Sequence, residues 1–159
     1  MKKQLEMDGE TAKKLYPSAQ PEFKTMLEES FGKDFFTQKI TDRVKNYDDI
    51  LEISGVRKLA DKVEVEGFND AENKVVQAFI KKMRIAKVYN EGWFPKRGEY
   101  RYYPWYNVSS GFSFNSSNYV SDHAFAPSAS RLCLKSKELV NDMVSKFKDV
   151  DEALIEIMD

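Results

Sequence analysis

The sequence has little of what makes covalent or metal cross-links. One cysteine and one histidine among 159 residues cannot form an internal disulfide or the Cys/His ligand set of a structural zinc site. No apolar run approaches the roughly 20 residues of a membrane span, and the N-terminus lacks the apolar core of a signal peptide. We therefore expect a cytoplasmic protein that needs no metal, cofactor or membrane.

Net charge and the common nucleotide motifs are also missing. With 25 basic and 26 acidic residues the net charge is -1, so no overall field attracts nucleic acid, and only a local basic patch could do so. There is no glycine-rich phosphate loop, no HExxH and no acidic triad at metal spacing. A hydrophobic fraction of 42% predicts a folded globule, and the length fits one domain.

Aromatic residues are concentrated in one stretch, Trp93 to Phe114. Two prolines and two glycines interrupt it, which excludes a single helix, and Tyr, Phe and Trp favour strands. We predict an antiparallel meander here, and expect Trp93 and Trp105 to be buried anchors between helices and sheet. Its strands are expected near Tyr100 to Val108, Phe112 to Phe114, Tyr119 to Val120 and Arg131 to Leu134.

Helical spacing of apolar residues precedes and follows this stretch. The first predicted helix is Glu22 to Phe31, and the second is capped by Asn46, with Asp49 three residues on, and ends at Gly55. The third is Asp70 to Asn90, with a capping box of Asn69 and Glu72. The last helix is capped by Ser136 and carries an apolar stripe of Leu139, Val140, Met143, Val144 and Phe147. In the longest helix, a continuous apolar stripe through Val76, Phe79, Ile80, Met83 and the level of Ala86 and Lys87 is expected to face the core. The stretch from Val56 to Gly67 is ambiguous and favours a short helix.

The expected fold class is therefore α+β, with a helical N-terminal part packed on a small antiparallel, aromatic-rich sheet, and a C-terminal helix. Residues 1–20 are expected to form a polar, irregular segment. Residues 21–159 are expected to form a single domain that is helical over 21–92, β-rich over 93–135 and helical again over 136–158.

Basic side chains flank the aromatic stretch and mark the candidate site. The candidate ligand-binding residues are Arg97, Arg101, Tyr103, Trp105, Arg131 and Lys135. Cations bind phosphate and rings stack on bases, so the pattern favours a nucleotide or a single-stranded nucleic acid. Rings and cations converge only if Arg131 or Lys135 comes from a neighbouring strand. The same pattern is also typical of a solvated strand edge protected by Lys and Arg.

His123 and Cys133 are the two residues considered for catalysis. His123 follows Asp122 and lies near several serines, an arrangement that could activate a hydroxyl, but no nucleophile-elbow signature is present. A histidine in a surface loop is therefore expected. A guanidinium beside Cys133 could lower its pKa and make the thiol reactive, whereas a packed, inert thiol is the expected state. We assign no catalytic residue and no metal ligand.

Four segments carry a resemblance to a known family. They are DRVKNYDDILEISG (Asp42 to Gly55), AKVYNEGW (Ala86 to Trp93), YYPWYNVSSGFSF (Tyr102 to Phe114) and SRLCLKSKELV (Ser130 to Val140). Together they resemble a family of small proteins encoded by phages and prophages of gut Bacteroidetes, in which comparable NEGW, YYPWF and SRLCFKS segments occur in this order. The chain departs from that pattern at Tyr106 and Leu134, where Phe is expected. The resemblance implies a mobile-element origin and supplies no catalytic residue.

The sequence thus predicts a non-enzymatic phage binding protein with an aromatic and basic surface. Its expected partner, in the cytoplasm of the bacterial host, is a host or phage protein or other macromolecule, a nucleotide or a single-stranded nucleic acid. Two alternatives stay open. One is a nucleic-acid- or nucleotide-processing enzyme that uses His123 or Cys133. The other is a minor virion component, which would expose a large apolar face and oligomerise.

Overall fold

The computed structural model describes residues 7–56, 62–109, 112–121 and 130–155. Within these ranges the chain forms seven α-helices and a two-stranded antiparallel sheet, so the predicted α+β class with a C-terminal helix is confirmed. The helices are α1 (Gly9–Leu15), α2 (Pro21–Phe31), α3 (Lys33–Thr37), α4 (Ile40–Arg43), α5 (Tyr47–Ser54), α6 (Asp70–Asn90) and α7 (Lys137–Ile155), and the strands are β1 (Tyr100–Asn107) and β2 (Ser113–Ser121). None of the described helices is both long enough and apolar enough to span a bilayer.

Two helices begin at the capping boxes that the sequence predicts. At α5 the Asn46 side chain accepts from the backbone of Asp49, whose carboxylate accepts from the backbone N–H of Asn46. Asn69 and Glu72 make the same reciprocal pair at α6. Each box satisfies donors that the first turn of a helix leaves unpaired.

The core lies where α6 meets α7, with α5 packed beside them. The apolar stripe predicted for α7 is buried, and the Tyr89 ring of α6 meets Phe147 of α7 edge-on, with ring centres 6.3 Å apart. The stripe predicted for α6 is only partly correct, because Ala86 is buried and Val76 and Ile80 are half-buried, whereas Phe79 and Met83 are exposed. The two exposed side chains line cavities on the surface of α6.

The sheet packs one face on the core. Tyr102, Tyr106 and Phe114 lie against the core. The pairing register between β1 and β2 shifts between Trp105 and Tyr106, so that Asn115 of β2 has no partner and forms a bulge. The two short segments predicted at Phe112 to Phe114 and Tyr119 to Val120 are joined in the single strand β2, which begins at Ser113.

The strand predicted at Arg131 to Leu134 is wrong. Ser130–Leu132 is a 3-10 turn, and only Leu134 bridges to β1, through two backbone hydrogen bonds with Tyr102 of 2.9 and 2.8 Å. The physical reason is the side chain of Asn90. Its amide nitrogen donates to the Cys133 carbonyl at 2.9 Å, and its oxygen accepts from the Lys135 N–H at 3.0 Å, so these backbone groups are satisfied without a ladder.

The N-terminal segment is also more ordered than predicted. The expectation of irregular structure over residues 1–20 is wrong for α1, which Asp8 caps by accepting from the Thr11 N–H at 2.9 Å. Gly9 lies against the Phe35 ring so closely that an added Cβ would stand 2.8 Å from it. Because α1 contains few apolar residues, the sequence shows no helical period of apolar positions there. Of the short helix favoured between Val56 and Gly67, residues 57–61 lie outside the described residues, and residues 62–67 form no helix but irregular structure that ends in a turn.

Candidate ligand site

A cavity of about 440 Å³ opens where the last turns of α6 meet the chain that follows it. Its volume is in the range of small-molecule sites. Three cations and two aromatic rings are prominent in its lining. These are Arg84, Lys87, Arg131, Trp93 and Phe94. Three cationic side chains line it, and no acidic side chain is found among the described residues of its lining.

The geometry of the helix end brings these groups together. Arg84 and Lys87 are three residues apart on α6 and therefore lie on one face. Left-handed backbone at Glu91 (φ 47°) and Gly92 (φ 81°) then turns the chain back on the helix, and the Trp93 N–H donates to the Asn90 carbonyl at 2.8 Å. The turn places Trp93, and Phe94 after it, beside the two cations.

Arg131 enters from the 3-10 turn on the other side of the cavity. Its guanidinium lies 5.5 Å from the centre of the Phe94 ring, within cation-π range. The two hydrogen bonds of Asn90 to the backbone of residues 133 and 135 hold this segment against the end of α6. The buried Asn90 side chain therefore connects the end of α6 to the segment that follows Arg131.

One cation of the lining, Lys87, pairs with a carboxylate that is not part of the lining. The Lys87 side chain is 65% exposed and its Nζ lies 3.5 Å from a carboxylate oxygen of Glu10, a surface pair of small energetic value. Glu91 lines a different groove, where it pairs with Lys13 at 2.5 Å and Lys135 at 3.4 Å. Behind the cavity, burial raises the pKa of the Tyr47 phenol, while the charge of Arg84 acts in the opposite direction.

The structure separates the six residues selected from the sequence. Arg131 lines the cavity beside α6, Tyr103 lines another cavity, and Lys135 lines the groove at Glu91. Arg97 is exposed in a turn just before β1. Of the group, Tyr103 and Trp105 lie close to each other, with ring centres 6.3 Å apart.

Trp105 of β1 is expected to be buried and Arg101 to be accessible to a ligand, and the structure shows the reverse. Trp105 is 52% exposed, so its expected role as a buried anchor is wrong, because β1 turns it to the face opposite Tyr106, which packs on the core. Arg101 is only 4% exposed. Trp93 is half-buried.

Cys133 has the surroundings of a structural thiol. The residue is buried, and burial raises the pKa of its thiol, although the charges of Arg101 and Lys82 act in the opposite direction. A thiol that stays protonated is a poor nucleophile, in line with the expected inert state. His123 and Asp122 lie outside the described residues.

Sequence reasoning missed Arg84, Lys87 and Phe94 as site residues and took Trp93 only as an anchor. The available signal was the spacing of Arg84 and Lys87 on one helix face, directly before the Asn-Glu-Gly turn that precedes Trp93.

Fold and site together define the class: an α+β protein with a cationic, aromatic cavity at the end of its longest helix. Within the described residues no cluster of His, Cys, Asp and Glu is suited to hold a metal ion. Comparisons with models of protein families, with curated proteins and with solved structures give no match.

Proposed function

We propose that the protein is a binding protein that takes a nucleotide, free or within a single-stranded nucleic acid, into the cavity beside α6. The observation that supports this function best is the lining of the cavity, where three cations and two rings share a space of about 440 Å³. Phosphate requires cations and a base stacks on rings. Both requirements are met within one site.

The contacts divide into a stacking part and a charged part. A base that stacks on an aromatic side chain gains about 1 to 3 kcal/mol, and Trp93 and Phe94 are the rings within the cavity. Arg84 and Arg131 offer planar guanidinium groups, which bind phosphate oxygens in pairs. Lys87 adds an exposed charge, whose contribution falls as salt screens it.

We assign binding without a catalytic step. Besides rings and cations, the lining includes the amide of Asn90 and the thioether of Met83, and none of its described side chains is a carboxylate, an imidazole or a thiol. Those are the usual groups for proton abstraction or nucleophilic attack at neutral pH. Binding by occupancy suits a phage protein in the cytoplasm of its bacterial host, the origin that the resemblance implies.

Fluorescence titration tests this function directly. The chain has two tryptophans, so the Trp105→Phe variant leaves Trp93 as the reporter inside the cavity. We expect nucleoside triphosphates and a short oligothymidylate to quench it at low salt, with an affinity that falls as salt rises. Arg131→Ala should weaken binding by about tenfold, the equivalent of one charge-assisted hydrogen bond, and lower the salt dependence by roughly one phosphate contact.

Lys33→Ala is the matched control, because it removes one exposed positive charge from α3, away from the cavity. It should leave affinity unchanged. Absence of quenching at low salt, or equal weakening by the two substitutions, would show that the cavity does not bind nucleotides.

A further inference from the structure

A second cavity, of about 420 Å³, lies on another face of α6, between β1 and the last turns of α7. Apolar side chains form most of its wall. They include Phe79, Pro104, Leu132, Leu154 and Ile155. Two charged side chains, Lys82 and Asp151, line the same space, although each is only 5% exposed. An apolar cavity with a few convergent polar groups is the usual form of a small-molecule site.

The polar groups form a connected cluster. Lys82 Nζ lies 2.6 Å from Asp151 Oδ1, and the hydroxyl of Tyr106 donates to Asp151 Oδ2. Lys82 Nζ also lies 3.2 Å from the sulfur of Met143, which is a weak acceptor. Among the described residues, Asp151 is therefore the one strong acceptor for the three N–H groups of the ammonium.

A buried ion pair such as Lys82–Asp151 is weak evidence for a stabilising role. Removing two charges from water costs several kcal/mol per ion, and apolar residues in place of a buried ion pair are often neutral or stabilising. Burial lowers the pKa of the Lys82 ammonium, although the charge of Asp151 opposes this effect. A lysine amine in an apolar cavity is more readily deprotonated than one in water, and such amines act as nucleophiles toward carbonyl compounds.

We propose that Lys82 is the nucleophile of a second site, which takes a small uncharged aldehyde or ketone with an apolar body and holds it as an imine. The apolar wall accommodates the body of the ligand. An uncharged ligand is required because a ligand carboxylate would be buried beside Asp151 without a cation of its own. This site is separate from the proposed nucleotide cavity and does not depend on it.

The step balances within the cluster. The ammonium of Lys82 passes a proton to Asp151, and the neutral amine attacks the carbonyl carbon. A proton then moves from nitrogen to oxygen and gives a carbinolamine. The Asp151 carboxyl protonates the hydroxyl, which leaves as water, and the nitrogen lone pair forms the C=N bond. The product is a protonated imine paired with the Asp151 carboxylate, so one carbonyl is consumed, one water is released and the charge pair is preserved.

Reductive trapping in the native protein tests the proposal. Benzaldehyde at limiting concentration followed by borohydride converts an imine to a stable secondary amine, and a glutamate-specific protease with mass spectrometry locates it. Lys81 is the internal control, since it precedes Lys82 in the chain and lies outside the cavity, with Nζ 5.6 Å from the Tyr47 ring. In urea the Lys82-to-Lys81 labelling ratio should be about one, because both unfolded side chains share one reference pKa.

In the folded protein we expect benzaldehyde to label Lys82 in clear excess over Lys81. Glyoxylate, which carries a carboxylate, should label Lys81 and other lysines but not Lys82. A native benzaldehyde ratio at or below the ratio in urea would overturn the proposal. Equal labelling of Lys82 by both aldehydes would overturn it as well, because the label would then come from transient unfolding rather than from the cavity.

Discussion

Three tyrosine hydroxyls among the described residues donate to carboxylates, and two of these tyrosines, Tyr89 and Tyr106, lie in or against the core. The Tyr89 hydroxyl donates to Asp142 at 2.7 Å, and the Tyr106 hydroxyl donates to Asp151. Burial first, and then the bond to a carboxylate, raises the pKa of each phenol well above its usual range. Folding therefore favours the neutral form of both phenols.

Alkaline titration tests this at the residue scale. Because the folded-state pKa of these phenols is raised, their contribution to stability is complete below the unfolded pKa of about 10 and is lost as pH rises above it. We expect the free energy of unfolding to fall between pH 9 and 11, and to fall less in Tyr89→Phe. Absorbance of tyrosinate at alkaline pH should show fewer than eight phenols ionising before unfolding. If all eight tyrosine phenols ionised together in the folded protein, the expectation would be contradicted.

The exposure of Trp105 changes the expected cost of its removal. A fully buried tryptophan costs about 3 to 5 kcal/mol when replaced by alanine. Since Trp105 is about half exposed, Trp105→Ala should cost about 1 to 2 kcal/mol in denaturant unfolding. A loss as large as that of a core ring would mean that this face of β1 is covered in solution.

Strand alternation could not have placed Arg101 and Trp105. The pattern places Arg101 and Trp105 on the same face of β1, yet Arg101 is buried and Trp105 is about half exposed. The charge of Arg101 acts on the buried Cys133 thiol, so a segment that is distant from β1 in the chain lies near Arg101, and alternation along one strand cannot show this.

At the scale of elements, local signals predicted the helices well. Both capping boxes and the ends of α5 and α6 followed from short-range side-chain chemistry, which the sequence displays directly. The segment from Arg131 to Leu134 failed for the opposite reason. Asn90, whose amide binds its backbone, lies 43 residues before Cys133, and no local pattern records such a contact.

The capping box of α6 gives the prediction at this scale. Asn69→Ala removes the acceptor for the Glu72 N–H, and should lower the free energy of unfolding by about 1 kcal/mol. Asn69→Ser retains a side-chain oxygen and should stay within a few tenths of a kcal/mol of the wild type. Thermal and urea unfolding of the three proteins would measure this. Equal losses in both variants would show that the cap does not act through its oxygen.

For the molecule as a whole, composition and periodicity predicted the α+β class, but not where cavities form. Lys82 and Asp151 meet across α6 and α7, and Arg84 and Arg131 meet at the end of α6. Each pair joins residues that are far apart in the chain, so its geometry follows from helix packing and not from spacing. Part of the expected stripe of α6 was wrong for the same reason, because Phe79 and Met83 line open cavities and not the core.

The sheet and the two longest helices are joined through one buried residue, Leu134. Leu134 is fully buried in the same cluster as Ile85 of α6 and Val140 of α7, and it bridges to β1 through Tyr102. Sheet and helices therefore share one core and should unfold together, as small domains usually do. In a Trp93→Phe variant, helical circular dichroism and the fluorescence of Trp105 on β1 should give the same urea midpoint. Leu134→Ala should reduce the free energy of unfolding by about 2 to 5 kcal/mol and should therefore lower both midpoints equally. Leu15→Ala, at a partly exposed site on α1, should shift both midpoints far less. Separate midpoints for the two signals would mean that the sheet is an independent unit and that Leu134 does not couple it to the helices.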